Sequence, residues 1–219
     1  MSEDNVTGTH EQSTWGVGPY PGDATKDPDF AKFDPELVRE GDTRNVVDEY
    51  RYWSMEAIVA DLDTKRHPYH VAIENWQHDL NIGSIVRTAN AFLAKEVHII
   101  GNKRWNRRGA MVTDRYQHVT HRPSIEDFVL WAQIAGPSGS KLPIIAIDNV
   151  PGCKQIENVA LPSECIFLFG QEGPGLSQAA LDAADMVLEI TQFGSTRSIN
   201  ASAAAAITMH TWVMQHVFS

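Results

Sequence analysis

The chain has 219 residues, 42% of them hydrophobic, which suffices for one domain with a sizeable core plus an appendage. No apolar run approaches the roughly 18 residues of a membrane span, and Met1 to His10 is polar and acidic, so the sequence predicts a soluble, cytoplasmic protein without a secretory signal. The net charge of −10 argues against a nucleic-acid partner only until its distribution is read, because residues 1–50 hold 12 acidic and 4 basic side chains and the remainder is close to neutral.

In chain order, residues 1 to about 45 are rich in Gly, Pro, Asp and Thr and show no periodicity. They predict an extended, partly disordered arm, with Trp15, Tyr20, Phe30 and Phe33 laid against a folded body. From Val46 to Lys65 the pattern turns helical, with Ser54 as N-cap before Met55, Ile58, Val59 and Leu62. Strands are expected at Tyr69–Ile73, Glu96–Ile100, Ile144–Ile147, Ile166–Phe169 and Met186–Ile190, and helices at Ile82–Leu93, Ser124–Ile134, Ser177–Ala184 and about Asn200–Val217. This alternation implies an α/β fold, a mostly parallel sheet with helices on both faces. The expected division is an acidic N-terminal arm with its leading helix, residues 1–66, and one domain, residues 67–219.

In such sheets ligands bind beyond the carboxyl ends of strands. Three segments there carry chemistry: Asn81-Ile-Gly-Ser-Ile-Val-Arg87, the turn Gly170-Gln-Glu172-Gly-Pro-Gly175-Leu-Ser177, and Ser198-Ile-Asn200-Ala-Ser202 opening an alanine-rich helix. Three glycines in six residues permit close backbone approach and positive φ, for a ligand or merely for a tight strand-to-helix turn. Ser198 and Asn200 can cap the last helix or present its N-terminus to an anion. Lys103, Arg104, Arg107, Arg108, Arg115 and Arg122 surround a single acid, Asp114, with Trp105 and Tyr116 interleaved. That composition suits phosphate contact and base stacking, or a solvated loop.

Two HxxH pairs, His67/His70 and His118/His121, lack a cysteine or carboxylate placed to complete a site, so no metal is expected. Cys153 and Cys165 have no zinc-ligand spacing and read as reduced thiols. There is no GxxxxGK[ST], and no GxGxxG opens the first helix of the sheet region.

Taken together and in order, the three loaded segments resemble the motifs of the SpoU/TrmH family of RNA ribose 2′-O-methyltransferases in the SPOUT superfamily, over roughly residues 69–217. The resemblance implies a C-terminal trefoil knot, S-adenosyl-L-methionine as cofactor, a tRNA or rRNA substrate and a homodimer formed through the knot region. Carried over position by position, it implies cofactor contacts at Ile147, Gly170, Ile190 and Ile199, and a catalytic group of Arg87, Asn81, Glu172, Ser198 and Asn200. RNA contacts are expected at Lys103, Arg104, Arg107, Arg108 and Arg115. The family's motif-one arginine lies beside the attacking hydroxyl, but arginine holds its proton at neutral pH, so electrostatic stabilisation is the easier role to defend for Arg87. A non-catalytic RNA-binding relative that keeps the knot is the alternative, and a nucleotide-binding metabolic enzyme a weaker third.

Overall fold

The computed structural model describes residues 16–76, 81–171 and 173–218. The chain divides into two compact units between Ala60 and Asp61.

The first unit is ordered differently from the extended arm expected of it. Asp34-Pro35 starts a helix, α1 (Pro35–Glu40), in which the Asp34 carboxylate accepts from the amides of Glu36 and Leu37 and Pro35 fixes the first-turn φ. Tyr20 packs on Phe33 and Tyr52, with ring centroids 5.5 and 5.2 Å apart. The buried Asp42 accepts from the Arg44 guanidinium at 2.7 and 2.9 Å and from the Tyr52 amide at 3.0 Å. Burial pushes the Asp42 carboxyl up, and these hydrogen bonds more than reverse that, holding it below the usual carboxylate range. The cap expected at Ser54 is in place: α2 spans Met55–Asp63, Ser54 Oγ accepts from the Ala57 amide, and the left-handed Tyr52 (φ 65°) keeps the stretch from about Val46 out of the helix.

The second unit is a sheet of seven strands, all parallel: β1 (Tyr69–Asn75), β2 (Val97–Gly101), β3 (Val119–Arg122), β4 (Ile144–Ile147), β5 (Lys154–Gln155), β6 (Cys165–Phe169) and β7 (Met186–Glu189), in the order β3-β2-β1-β6-β4-β7-β5. Strands β3 and β5 were not expected. Val119-Thr-His-Arg122 lacks an apolar run because it is an edge strand, and β5 is two exposed residues. Helices α3 (Asn81–Ala91) and α6 (Ala201–His216) cover one face, where Ile82, Ile85, Met209 and Trp212 meet Val71, Ile73 and Phe167. Helices α4 (Ile125–Ala132) and α5 (Gln178–Ala183) cover the other, where Phe128 and Ala180 meet Ala72, Ile144 and Leu168. Burial on both faces explains why the central strands read as continuous apolar runs. Both cysteines are free thiols, Cys165 buried and Cys153 half-buried.

One connection is unusual. Strands β4 and β5 follow each other in the chain, yet β7 lies between them, paired with β4 through Ile147 and Leu188 and with β5 through Lys154 and Leu188. The chain beyond Glu189 therefore leaves the sheet between the two arms of a loop formed earlier. Among the described residues no helix is long and apolar enough to cross a membrane.

Candidate active site

The carboxyl ends of β6, β4 and β7 lie side by side, Ile147 being opposite Phe169 on one flank and Leu188 on the other. The loops leaving them enclose a cavity of about 420 Å³. All four positions expected to hold the cofactor, Ile147, Gly170, Ile190 and Ile199, line it, together with Ser198 and Asn200.

The turn after β6 is built by backbone. Gln171 and Gly175 exchange two hydrogen bonds of 3.1 Å, which folds the turn onto itself. A Cβ on Gly170 would lie 2.2 Å from the Gly175 carbonyl carbon and 2.3 Å from the Leu176 nitrogen, so only glycine fits. Positive φ falls on Gly173 (95°) and Gly175 (72°) rather than on Gly170. Glu172 lies outside the described residues.

Two carboxylates missed by sequence reasoning fix the far end of this turn. Asp148, just after β4, accepts from the Leu176 amide at 3.1 Å. Glu74, fully buried on β1, accepts from the Ser177 amide at 2.7 Å, from Ser177 Oγ at 2.8 Å and from Trp76 Nε1 at 3.1 Å. A buried carboxylate is tolerated because its oxygens are satisfied in this way. Asp148 follows a predicted strand at the carboxyl edge, and that position was the available signal. Nothing in the sequence links Glu74 to a serine 103 residues away.

The first and third motifs meet directly. Asn200 Nδ2 donates to Asn81 Oδ1 at 2.8 Å, while Asn200 Oδ1 accepts from the amides of Ser202 and Ala203 and so caps α6. Capping and contact between motifs are thus two ends of one amide. Arg87 does not line the cavity. It is exposed on α3, one turn beyond Gly83, and has no hydrogen bond or ion pair to another described residue.

Gly83 explains why the basic segment lies there. A Cβ on it would come within 2.8 Å of the Ala110 amide nitrogen and 2.9 Å of the Asn106 carbonyl, so the 106–110 backbone rests directly on α3. The root of the segment is tied to β1, whose Asn75 Nδ2 donates to the carbonyls of Asn102 and Arg104 at 2.7 and 2.9 Å. Lys103, Arg104, Arg107, Arg108 and Arg115 are all exposed. Arg107 pairs with Asp114 at 3.0 Å and sits 5.3 Å above the Trp105 ring. Arg122 turns away to Asp127, 3.7 Å off, and to the face of Trp131.

Neither HxxH pair converges. His67 packs on Tyr69 and Trp212, His118 meets Asp63 at 2.8 Å, and His121 meets the Gly101 carbonyl at 2.7 Å.

These features define a parallel α/β domain with a ligand cavity at the carboxyl edge of its sheet and a basic surface beside it. The model of the SpoU rRNA Methylase family matches residues 68–210, and the chain belongs to that family. It is 36% identical over 72 residues to a tRNA (guanosine(18)-2′-O)-methyltransferase of Borreliella burgdorferi, 33% of each chain, and 28% identical over 158 residues to the enzyme of that name in Escherichia coli K12, 70% of this chain and 67% of that one. Its fold matches the SpoU methyltransferase AviRb of Streptomyces viridochromogenes, solved in complex with the cofactor AdoMet, with a TM-score of 0.62 and 23% identity, covering 69% of this chain and 59% of that one. The chain thus spans between a third and two thirds of the length of these relatives.

Proposed function

We propose that this protein transfers a methyl group from S-adenosyl-L-methionine to a ribose 2′-hydroxyl of tRNA or rRNA. The observation that carries the reading is the single cavity lined by Ile147, Gly170, Ile190 and Ile199, to which the third motif brings Asn200 and, through it, Asn81. The fit to the cofactor rests on that cavity. Its isoleucines offer an apolar wall to an adenine, its tight Gly170 turn offers backbone groups, and Asp148 and Glu189 line it with carboxylates that suit a cationic ligand. When bound, the cofactor supplies an electrophilic methyl group on a sulfonium, and no metal is required.

The chain's own residues then hold and polarise the RNA. Lys103, Arg104, Arg107, Arg108 and Arg115 take phosphates, and Trp105 offers a face to a base. Arg87 orients the ribose hydroxyl against a neighbouring phosphate and stabilises negative charge on the oxygen as its proton leaves to solvent. Its exposure one turn from the basic segment supports that role. Asn81 and Asn200 keep α3 and α6 in register, and Ser198 contacts RNA or cofactor at the cavity rim.

The architecture is read in the same way. Residues 67–219 form the methyltransferase domain, behind an acidic arm and leading helix. The placement of β7 between β4 and β5 supports a trefoil knot. Ala203, Ile207, His210 and Met214 on α6, continued by Val217 at its C-cap, form an exposed stripe at alternating spacings of four and three residues, which suits packing against a second copy beside the knot. A cytoplasmic location suits a tRNA or rRNA substrate.

The test is incubation of bulk tRNA and rRNA with methyl-labelled S-adenosylmethionine and the protein, followed by alkaline hydrolysis. A 2′-O-methyl group blocks cleavage at its phosphate, so label is expected in alkali-resistant dinucleotides. RNA binding without transfer would leave the non-catalytic reading in its place.

A further inference from the structure

At the opposite end of the sheet, three titratable side chains meet that neither the cavity nor the basic surface uses. Val71 pairs with Val97 across β1 and β2, so His70 lies beside Glu96, and His98, two residues further on, shares their side of the sheet under α4. His70 Nδ1 is 3.1 Å from His98 Nε2, and Glu96 Oε2 is 3.9 Å from the first of these nitrogens and 3.6 Å from the second. Both histidines are buried and Glu96 is a quarter exposed.

The carboxylate distances are diagnostic. At 3.6 and 3.9 Å, Glu96 Oε2 is too far from either nitrogen for a hydrogen bond, although it faces both. Those same separations suit ligands around an ion: bonds of about 2.0–2.1 Å in tetrahedral geometry put donor atoms about 3.3 Å apart. The circle through the three atoms has a radius of about 2.1 Å, fixed by the three distances, so the one point a zinc-bond length from all three lies in their plane, and a tetrahedral ion draws the Glu96 oxygen in by a few tenths of an ångström.

Of the outer contacts, the carboxylate ligand has its partner, whereas His98 Nδ1 is buried without one. Glu96 Oε1 accepts from Thr120 Oγ1 on β3, which orients the carboxylate and leaves Oε2 for the centre. The rings are held by Trp131, 4.1 Å from His98 and 5.2 Å from His70. Burial pushes His70 down to about 4 and His98 to about 2, with Lys95 and Arg122 contributing to the first and His70 and Arg122 to the second, so both imidazoles are neutral near pH 7. Arg122 is itself engaged by Asp127 and by the face of Trp131. His70 also lines a cavity of about 170 Å³, which has room for a water as fourth ligand and offers a way in.

We infer that His70, His98 and Glu96 bind one divalent transition-metal ion of the zinc class, joining β1 to β2 and completed by water. His70 is five residues before the end of β1, about 16 Å from the carboxyl edge by strand rise, so the ion staples the sheet and takes no part in methyl transfer. The two HxxH spacings could not reveal it, because its ligands come from the register of two strands.

The test uses untagged full-length protein, titrated with Zn²⁺ by calorimetry and with Co²⁺ by visible absorption. One equivalent per chain is expected, with the intense visible bands of tetrahedral cobalt and a raised Tm. Glu96→Gln should weaken binding at least about 10-fold and His70→Gln at least about 100-fold, while His118→Ala, beside Asp63, should bind as the wild type does. His70→Gln alters a buried side chain, so Glu96→Gln and the wild-type cobalt spectrum decide on their own should it fail to fold. No stoichiometric binding by the folded wild type, or binding unchanged in Glu96→Gln, overturns the site and leaves a hydrogen-bonded histidine pair.

Discussion

The cavity and the surface beside it are built by opposite means. The tightest wall of the cavity is made of backbone, a turn closed by the Gln171–Gly175 pair and pinned by Asp148 and Glu74, with no space for a side chain at Gly170. The α3 surface is made of exposed side chains, Arg87 and the basic segment, carried on a backbone that Gly83 allows to lie flat. The two parts should therefore be sensitive to different changes: the cavity to added volume, the surface to lost charge. Among the described residues, the Asn200–Asn81 hydrogen bond joins the two motifs directly.

The largest effect should follow from adding one methyl group. In Gly170→Ala the new Cβ must displace backbone at Gly175 and Leu176 by more than half an ångström, since real Cβ contacts stay beyond 3.0 Å. Overpacking of that kind is destabilising by about 1–3 kcal/mol, and here the strain falls on the cavity wall. S-adenosylmethionine affinity, read by calorimetry, should fall more than about 100-fold, which is about 2.7 kcal/mol. RNA binding through the basic segment should change little. Affinity for the cofactor within a few-fold of wild type would show that the turn can shift without cost and that the cavity does not depend on it.

Next in size is Arg87→Ala. A charge that matters as the methyl moves should slow single turnover about 100-fold or more, with cofactor affinity unaltered because Arg87 does not line the cavity. Arg87→Lys keeps the charge and loses the planar fork, so it should recover only part of the rate. An unchanged rate at saturating RNA would transfer the catalytic role to Ser198 and Asn200.

How much of this was visible beforehand depends on the kind of contact. Cavity positions Ile147, Gly170, Ile190 and Ile199 were expected from the resemblance to the SpoU/TrmH motifs, which rests on segments of unusual residue types: glycines after Phe169, a cap before an alanine run. Asp148 and Glu74 were not, since their roles are partners across 28 and 103 residues. Strand β3 was missed because an edge strand need not be apolar. Helix α1 was legible locally in Asp34-Pro35-Glu36 but was hidden by the Gly, Pro and Asp around it. The His70–His98 contact needed the β1–β2 register, which no local pattern supplies.

The Asn81–Asn200 link can be isolated by a double-mutant cycle. Asn200→Asp keeps an oxygen to cap α6 and removes the N–H that reaches Asn81, whereas Asn200→Ala removes both. Asn200→Ala should therefore lose about 1 kcal/mol of stability that Asn200→Asp retains, measured by denaturant unfolding. Coupling between Asn81→Ala and Asn200→Asp in the rate of transfer should be about 0.5–1.5 kcal/mol. Additive effects would mean that cavity and surface act independently.

The smallest expected change separates members of the basic segment. Each phosphate contact contributes about 0.7 to 0.9 to the slope of log affinity against log salt, as counterions are released. Arg108 is exposed at the end of α3's docking loop, whereas Arg107 already spends its charge on Asp114 and its face on Trp105. An arginine held by a carboxylate must give up that partner before it can neutralise a phosphate, so its net gain from RNA is smaller. Arg108→Gln should thus flatten the slope by nearly a full contact and weaken binding several-fold at physiological salt, and Arg107→Gln should do distinctly less. Neither should alter cofactor affinity, because neither touches the cavity. Asp114→Asn, by releasing Arg107, should steepen the slope instead. Equal slopes in all three variants and the wild type would reduce the segment to a solvated loop and leave RNA recognition to Arg87 and the cavity rim.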